Sequence, residues 1–302
     1  MTSFFSRLET RARAINSLLC VGLDPHPADL VAPTAAAARD FCLRLIAATA
    51  DVAAAFKPNA AFFEQFGAEG MAALRDVIAA VPDDVPVLLD AKRGDIASTA
   101  EAYARAAFET LGADAITLSP YLGGDSVAPF TAYAGRGAFV LCHTSNPGAT
   151  DFQTLSCQGR PLYEIVAEKA AGWGTGLVVG ATYLQALARV RALAPEAWIL
   201  LPGVGAQGGD LAAALAAGLR ADGLGLVVNS SREVIYASDP RQAAWELRDR
   251  IEAGRRAAVP ARPGPPDSLA PALFDIGAVQ FGRFTLASGR ESPIYLDLRL
   301  LA

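Results

Sequence analysis

The sequence predicts a (β/α)8 TIM barrel followed by a linker and a short truncated C-terminal segment. Three observations carry this. Eight short apolar runs alternate with eight alanine-rich helical stretches over about 250 residues, the usual length of such a barrel. The runs are continuously apolar rather than alternating, as expected for parallel strands covered by helices. The turn after the first run, GLDPHP (22–27), lacks the glycine spacing that a doubly wound dinucleotide fold places there, so that fold stands second.

The elements follow in order. Strand 1 is read at 17–24 (SLLCVGLD), with a helix over 35–50. Strand 2, AAFKPN (54–59), leads to a helix over 61–80, where Phe62, Phe63 and Phe66 recur at helical spacing as core residues. Strand 3, VPVLLDAK (85–92), precedes a helix over 96–111, and strand 4, ADAITLSP (113–120), one over 125–134. Strands 5 and 6 are AFVLCHT (138–144) and TGLVVGA (175–181), with helices over 161–173 and 183–194. Strand 7, WILLPGVG (198–205), and strand 8, GLGLVVNSS (223–231), lead to helices over 210–219 and 239–256; Asp239 caps the last and Pro240 opens its first turn. The barrel thus occupies 1–256. Residues 257–271, AAVPARPGPPDSLAP, form a Pro/Ala-rich linker without periodicity. Residues 272–302 hold a short helix, a hairpin-like FGRFTLASGR and a strand PIYLDLR. About thirty residues cannot bury a core of their own, so they read as the start of another domain, cut short.

Composition narrows the function. The chain has 302 residues, 52% of them hydrophobic, and a net charge of −5, which argues against a nucleic-acid partner. The N-terminus has no apolar signal core, and no window approaches the roughly 20 apolar residues of a membrane span, so a soluble cytoplasmic protein is expected. Cys20, Cys42, Cys142 and Cys157 form no CxxC pair and read as reduced core thiols, neither a zinc site nor a disulfide framework.

Polar residues gather where the predicted strands end: Asp24, Lys57, Asn59, Asp90, Lys92, Asp95, Thr144, Ser145, Asn146, Gln207, Ser230, Ser231 and Arg232. In a barrel these ends form the reactive face. Asp90 and Lys92 are two apart on a strand and share a side, with Lys57 on the neighbouring strand at the same level. Alternating carboxylates and ammoniums keep one another ionised in a desolvated pocket. A lysine held protonated there can deliver a proton to a carbanion. The glycine-rich GVGAQGGD (203–210) runs into a helix and can cradle an anion, and Arg232 after strand 8 suits a phosphate; loops 7 and 8 are the usual phosphate position in this fold. Taken alone, DxKxxD is more often a surface ion-pair cluster and a glycine-rich loop is often a plain turn; together they point to one site.

The stretches DAKRGDIAST (90–99), FKPNAAFFE (56–64), TSNPGA (144–149), PGVGAQGGD (202–210) and the NSSR after strand 8 resemble the orotidine 5′-phosphate decarboxylases, in particular the subgroup carrying DAKRGDI, over residues 1 to about 255. The resemblance implies decarboxylation of orotidine 5′-phosphate to UMP and CO2 in de novo pyrimidine biosynthesis, without metal or organic cofactor. It implies Lys57, Asp90, Lys92 and Asp95 as the charge network, with Lys92 protonating C6 and Asp90 beside the substrate carboxylate. Asp24 and Lys57 would hold ribose hydroxyls, with Asn59 among the substrate-binding residues. Ser145 would read the pyrimidine, and Gln207, on a mobile lid, would contact the phosphate with Arg232. Asp95, Ile96 and Thr99 would be donated to the neighbouring site of a homodimer. The tail, LFDIGAVQFGRFTLASGRESPIYLDLR, is similar to the first residues of orotate phosphoribosyltransferase; no acidic pair with a glycine-rich phosphate turn follows, so transferase activity is not expected.

Other classes stay open at this stage. A related barrel sugar-phosphate decarboxylase shares DxKxxD but uses magnesium, and a Schiff-base aldolase would use Lys57 or Lys92 covalently. A barrel kept only as a scaffold has no use for clustered charge, which is costly to bury. His143 reads as a hydrogen-bonded structural histidine, and Arg93 as a rim charge.

Overall fold

Eight parallel strands close on themselves in the computed structural model, which describes residues 2–204, 210–259, 273, 277–285 and 289–297. The strands are β1 (Leu19–Leu23), β2 (Ala55–Pro58), β3 (Leu88–Arg93), β4 (Ala115–Leu118), β5 (Gly137–His143), β6 (Gly176–Val179), β7 (Ile199–Pro202) and β8 (Leu226–Ser230). Neighbours in sequence are neighbours in space, and β8 pairs back onto β1, with Leu19 opposite Val228. The last seam, β2 to β3, is held by parallel bridges Phe56–Val87 and Asn59–Asp90. The expected barrel is therefore the observed one, with strands shorter than the apolar runs because strand ends turn outward into loops.

The outer layer comprises α1 (Phe4–Ile15), α2 (Ala35–Thr49), α3 (Gly67–Ala79), α4 (Ala97–Arg105), α5 (Gly124–Thr131), α6 (Leu162–Gly172), α7 (Leu184–Leu193), α8 (Leu211–Gly218) and α9 (Pro240–Ala258). Two of these differ from expectation. Helix α1 precedes the first strand; its Phe4, Leu8 and Ala12 recur every four residues and are buried, and Ser3 caps it. The helix expected over 61–80 is broken into Ala61–Glu64 and α3, because Gly67 takes φ +61°, a left-handed conformation that glycine adopts freely. Asp210 and Asp239 cap α8 and α9 through their side chains.

One contiguous apolar core fills the barrel and the layer between strands and helices; Phe56, Phe63, Phe130 and Phe139 are fully buried in it. Cys20, Cys42 and Cys142 are buried free thiols and Cys157 is a half-buried one. Among the described residues no helix is long and apolar enough to cross a membrane. A second compact unit begins at residue 260. Its described part is an antiparallel pair, β9 (Val279–Thr285) and β10 (Glu291–Leu296). Most of the expected linker lies outside the described residues.

Because the two units separate at 259/260 and the core lies wholly in the first, removing residues 262–302 is expected to leave the barrel's melting temperature within about 2 °C of the full chain. Calorimetry of the two chains checks this, and a larger fall overturns the barrel's independence.

Candidate active site

At the C-terminal mouth of the barrel a cavity of about 760 Å³ is lined by Asp24, Lys57, Asn59, Asp90, Lys92, Ser145 and Arg232. They come from five strands: Asp24 follows β1, Lys57 lies on β2 with Asn59 just after it, Asp90 and Lys92 lie on β3, Ser145 follows β5 and Arg232 follows β8. The fold thus brings seven sequence-predicted residues to one place.

Four of them form a line of alternating charge. Lys57 Nζ stands 4.0 Å from Asp24 Oδ1 and donates to Asp90 Oδ2 at 3.1 Å. Lys92 Nζ donates to Asp90 Oδ1 at 2.6 Å. Lys57 is only 4% exposed. Burial opposes its charged form, but Asp24 and Asp90 more than offset this and hold the ammonium above the ordinary lysine range. Burial likewise pushes the Asp90 carboxyl up, while Lys57, Lys92 and a hydrogen bond from Thr117 hold it well below the ordinary carboxylate range. Lys57 and Asp90 therefore stay charged at neutral pH. Beneath them, burial pushes the Cys20 thiol up to about 12, so it stays neutral.

The backbone around this line is shaped for it. Asp90, Ala91 and Lys92 stand opposite the single residue Thr117 of β4, so β3 bulges at the site. Lys92 takes φ +48°, unusual for a residue with a side chain. Simple alternation along a strand does put Asp90 and Lys92 side by side, but a bulge and a left-handed turn make the contact here. Two glycines are required by close approach. A Cβ at Gly22 would lie 1.9 Å from Ser231 Oγ, and one at Gly180 would lie 2.9 Å from Ser145 Cβ.

Other predicted residues fall elsewhere. Asp95 accepts the Ile96 N–H at 2.8 Å and does not line the cavity; neither do Ile96, which is 55% exposed, and Thr99, which is exposed. Gln207 and the centre of the glycine-rich loop lie outside the described residues. Asn59 Oδ1 accepts the Ala61 N–H while lining the cavity. Phe62, expected in the core, is half-buried against it and also lines the mouth, where its ring lies 5.9 Å from that of His26. His143 is buried between the rings of Tyr163 and Tyr183, and burial lowers its pKa. Arg93 pairs with Glu64 and covers the Tyr103 ring.

The site also holds Ser231, one of the strand-end polar residues, and three that the sequence pattern did not single out, Tyr236, Asn229 and Thr117. Ser231 donates to Asp24 Oδ2 at 2.6 Å, and Tyr236 donates to the Asp24 carbonyl at 3.0 Å. Asn229 lines the cavity, and its Oδ1 is buried without a donor. Thr117, on the one neighbouring strand whose end carries no charge, touches both Asp90 and the β3 backbone. Its only signal is a polar residue inside an apolar run. Among the described residues no group of three or more His, Cys, Asp or Glu could hold a metal ion.

A (β/α)8 barrel carrying an ordered carboxylate–ammonium array at its C-terminal mouth, beside the loops after β7 and β8, is the architecture of a barrel lyase. The chain belongs to the orotidine 5′-phosphate decarboxylase / HUMPS family, whose sequence profile matches residues 17–247. It is 51% identical to an orotidine 5′-phosphate decarboxylase of Roseiflexus castenholzii over 271 residues, covering 84% of this chain and 99% of that protein. Among solved structures it is similar to the Leishmania donovani OMP decarboxylase, with 57% identity and a TM-score of 0.79 over 84% of this chain and 99% of that one. It is also similar to the UMP synthase of the same organism, with 57% identity and a TM-score of 0.81; the match covers all of this chain, which spans 66% of that one.

Removing the buried cation tests the array. Lys57→Met removes the ammonium between Asp24 and Asp90, leaving Asp90 with Lys92 alone as its cationic partner, and is expected to cost about 3 kcal/mol of unfolding free energy at pH 7. Asp90 has a depressed folded pKa, so its native contribution is present above the ordinary carboxylate value and lost only as pH falls through the lowered one. In the variant Asp90 loses its main cationic partner, its pKa rises and it protonates in milder acid. The gap between the two chains should therefore narrow from pH 7 to pH 4, as read by denaturant titration. A gap that widens contradicts the array.

Proposed function

We propose that the chain decarboxylates orotidine 5′-phosphate to UMP and CO2, the last step of UMP formation in pyrimidine biosynthesis, as a cytoplasmic enzyme that needs no cofactor. The observation that carries this is the line Asp24–Lys57–Asp90–Lys92 in the barrel mouth, with Lys92 Nζ 2.6 Å from Asp90. The family membership and relatives at about 50% identity support it.

The chemistry runs on charge. As the bond from C6 to the carboxylate breaks, its electron pair stays on C6 and CO2 departs. Lys92 gives its proton to C6, and water restores the ammonium afterwards. Ionised Asp90 disfavours the substrate carboxylate and favours the state in which that charge has left. Lys57 and Asp24 hold ribose hydroxyls, Asn59 lines the nucleoside pocket and Ser145 reads the pyrimidine. Arg232 and Gln207 hold the phosphate, whose binding helps to organise the array.

The active form in this proposal is a homodimer. Asp95, with Ile96 and Thr99, completes the charge array of the partner subunit. Support comes from exposed apolar residues on the loops after two paired strands, Ile96 after β3 and Tyr121, 84% exposed, with Leu122 after β4. For the tail, the UMP synthase structure is matched over the whole chain and the decarboxylase structure over 84% of it. This supports residues 272–302 as the opening of an orotate phosphoribosyltransferase-like unit.

Conversion of orotidine 5′-monophosphate to UMP by the purified chain tests the activity, and Lys92→Ala should lose it while still binding UMP. Near-normal turnover by that variant overturns the proton donor. The shared site is tested by dissociating and reassociating two inactive variants, Lys92→Ala and Asp95→Ala, together. Two-fold pairing makes about half the dimers mixed, and each mixed dimer has one complete site, so roughly a quarter of all sites should recover. No recovery would mean that Asp95 serves its own chain.

A further inference from the structure

Thr117 is fully buried at the end of β4 and carries no charge, yet three hydrogen bonds converge on its hydroxyl. The N–H groups of Ala91 and Lys92 donate to its Oγ1 at 3.0 and 2.9 Å. Its own O–H donates to Asp90 Oδ1 at 2.8 Å. A hydroxyl has two lone pairs and one proton, so this one is saturated. In the ladder between β3 and β4, three residues of β3 face this one residue of β4. Backbone carbonyls cannot serve all of the extra N–H groups, and the Thr117 side chain supplies the acceptor. Lys92 sits within the bulge with φ +48°. The same Asp90 Oδ1 receives both the Thr117 proton and the Lys92 ammonium.

We propose that Thr117 is a positioning residue of the reaction: its hydroxyl pins the left-handed bulge of β3, and through it the aim of Lys92 and the rotamer of Asp90. This rests on the decarboxylase reading. Without the hydroxyl, two N–H groups beside the cavity lose their acceptor, the bulge relaxes toward a regular strand and the ammonium swings off its line. Displacement of a reacting group by about 1 Å costs on the order of a hundredfold in rate. Thr117 borders the cavity but is almost wholly buried, with its hydroxyl committed to Asp90 and the β3 backbone, so nucleotide binding should depend on it little.

The test compares Thr117→Val, which keeps the shape and removes the hydroxyl, with Thr117→Ser, which keeps the hydroxyl. The valine chain should lose about a hundredfold in kcat for orotidine 5′-monophosphate, with UMP affinity changed less than about threefold, and the serine chain should recover most of the rate. Removing the Thr117 donor also raises the Asp90 pKa, so the acidic limb of the rate profile should move to higher pH in the valine chain only. If the valine chain does not fold, Thr117→Ala removes the hydroxyl with a smaller side chain and gives the same comparison. A wild type that makes no UMP overturns this proposal together with the decarboxylase reading. An active wild type with a valine or alanine chain of normal kcat overturns the positioning alone. A serine chain as slow as valine overturns the hydroxyl as the cause.

Discussion

Charge compensation inside a low-dielectric barrel mouth is the constraint on which the rest of this structure depends. An ammonium as buried as that of Lys57 is tolerable only because carboxylates flank it on two sides, at 4.0 and 3.1 Å. Asp90 is in turn held by two ammoniums and a hydroxyl. Lys57 and Asp90 each hold the other charged. The sequence must therefore deliver four side chains from three adjacent strands to one level, and the parallel register of β1 with β2, which sets Gly22 beside Lys57, does so. Glycine at position 22 follows from the same demand, since Ser231 and Asp24 fill the space a side chain would take.

The barrel supplies what such an array needs from its surroundings. Parallel strands all point their C-terminal ends the same way, so polar residues placed one step past each apolar run converge without further instruction. Below them the wall is apolar, with Leu141, Val178 and Leu200 facing the cavity. Burial keeps the Cys20 thiol neutral and so out of the chemistry.

Much of this was legible in the sequence because continuous apolar runs and helical spacing are local signals. The eight strands and their order could be read, and so could Asp24, Lys57, Asp90, Lys92 and Arg232 as rim residues, since charge at a strand end is conspicuous. Three things were not. Helix α1 is amphipathic but lies ahead of the repeating units, so counting strand–helix pairs does not reach it. The break at Gly67 depends on one φ angle that no periodicity reveals. Thr117 looks like any β-branched strand residue, and its role exists only because β3 bulges against it. The adjacency of Asp90 and Lys92 was expected from two-residue alternation, yet it arises from that irregularity. Local pattern reports which residues approach the mouth; long-range pairing decides how they are aimed.

The left-handed backbone at Lys92 has a consequence for anyone reshaping this chain. An L-residue in that conformation gives up roughly 1–2 kcal/mol that glycine would not. With Lys92 as the proton donor proposed above, position 92 is a place where robustness and turnover pull in opposite directions. Selection, or a design procedure, that rewards only resistance to heat would favour glycine there and would remove the ammonium that the bulge exists to present. On the proposed mechanism this strain serves reactivity, and its loss in a more heat-tolerant descendant would signal a barrel that had given up chemistry for durability.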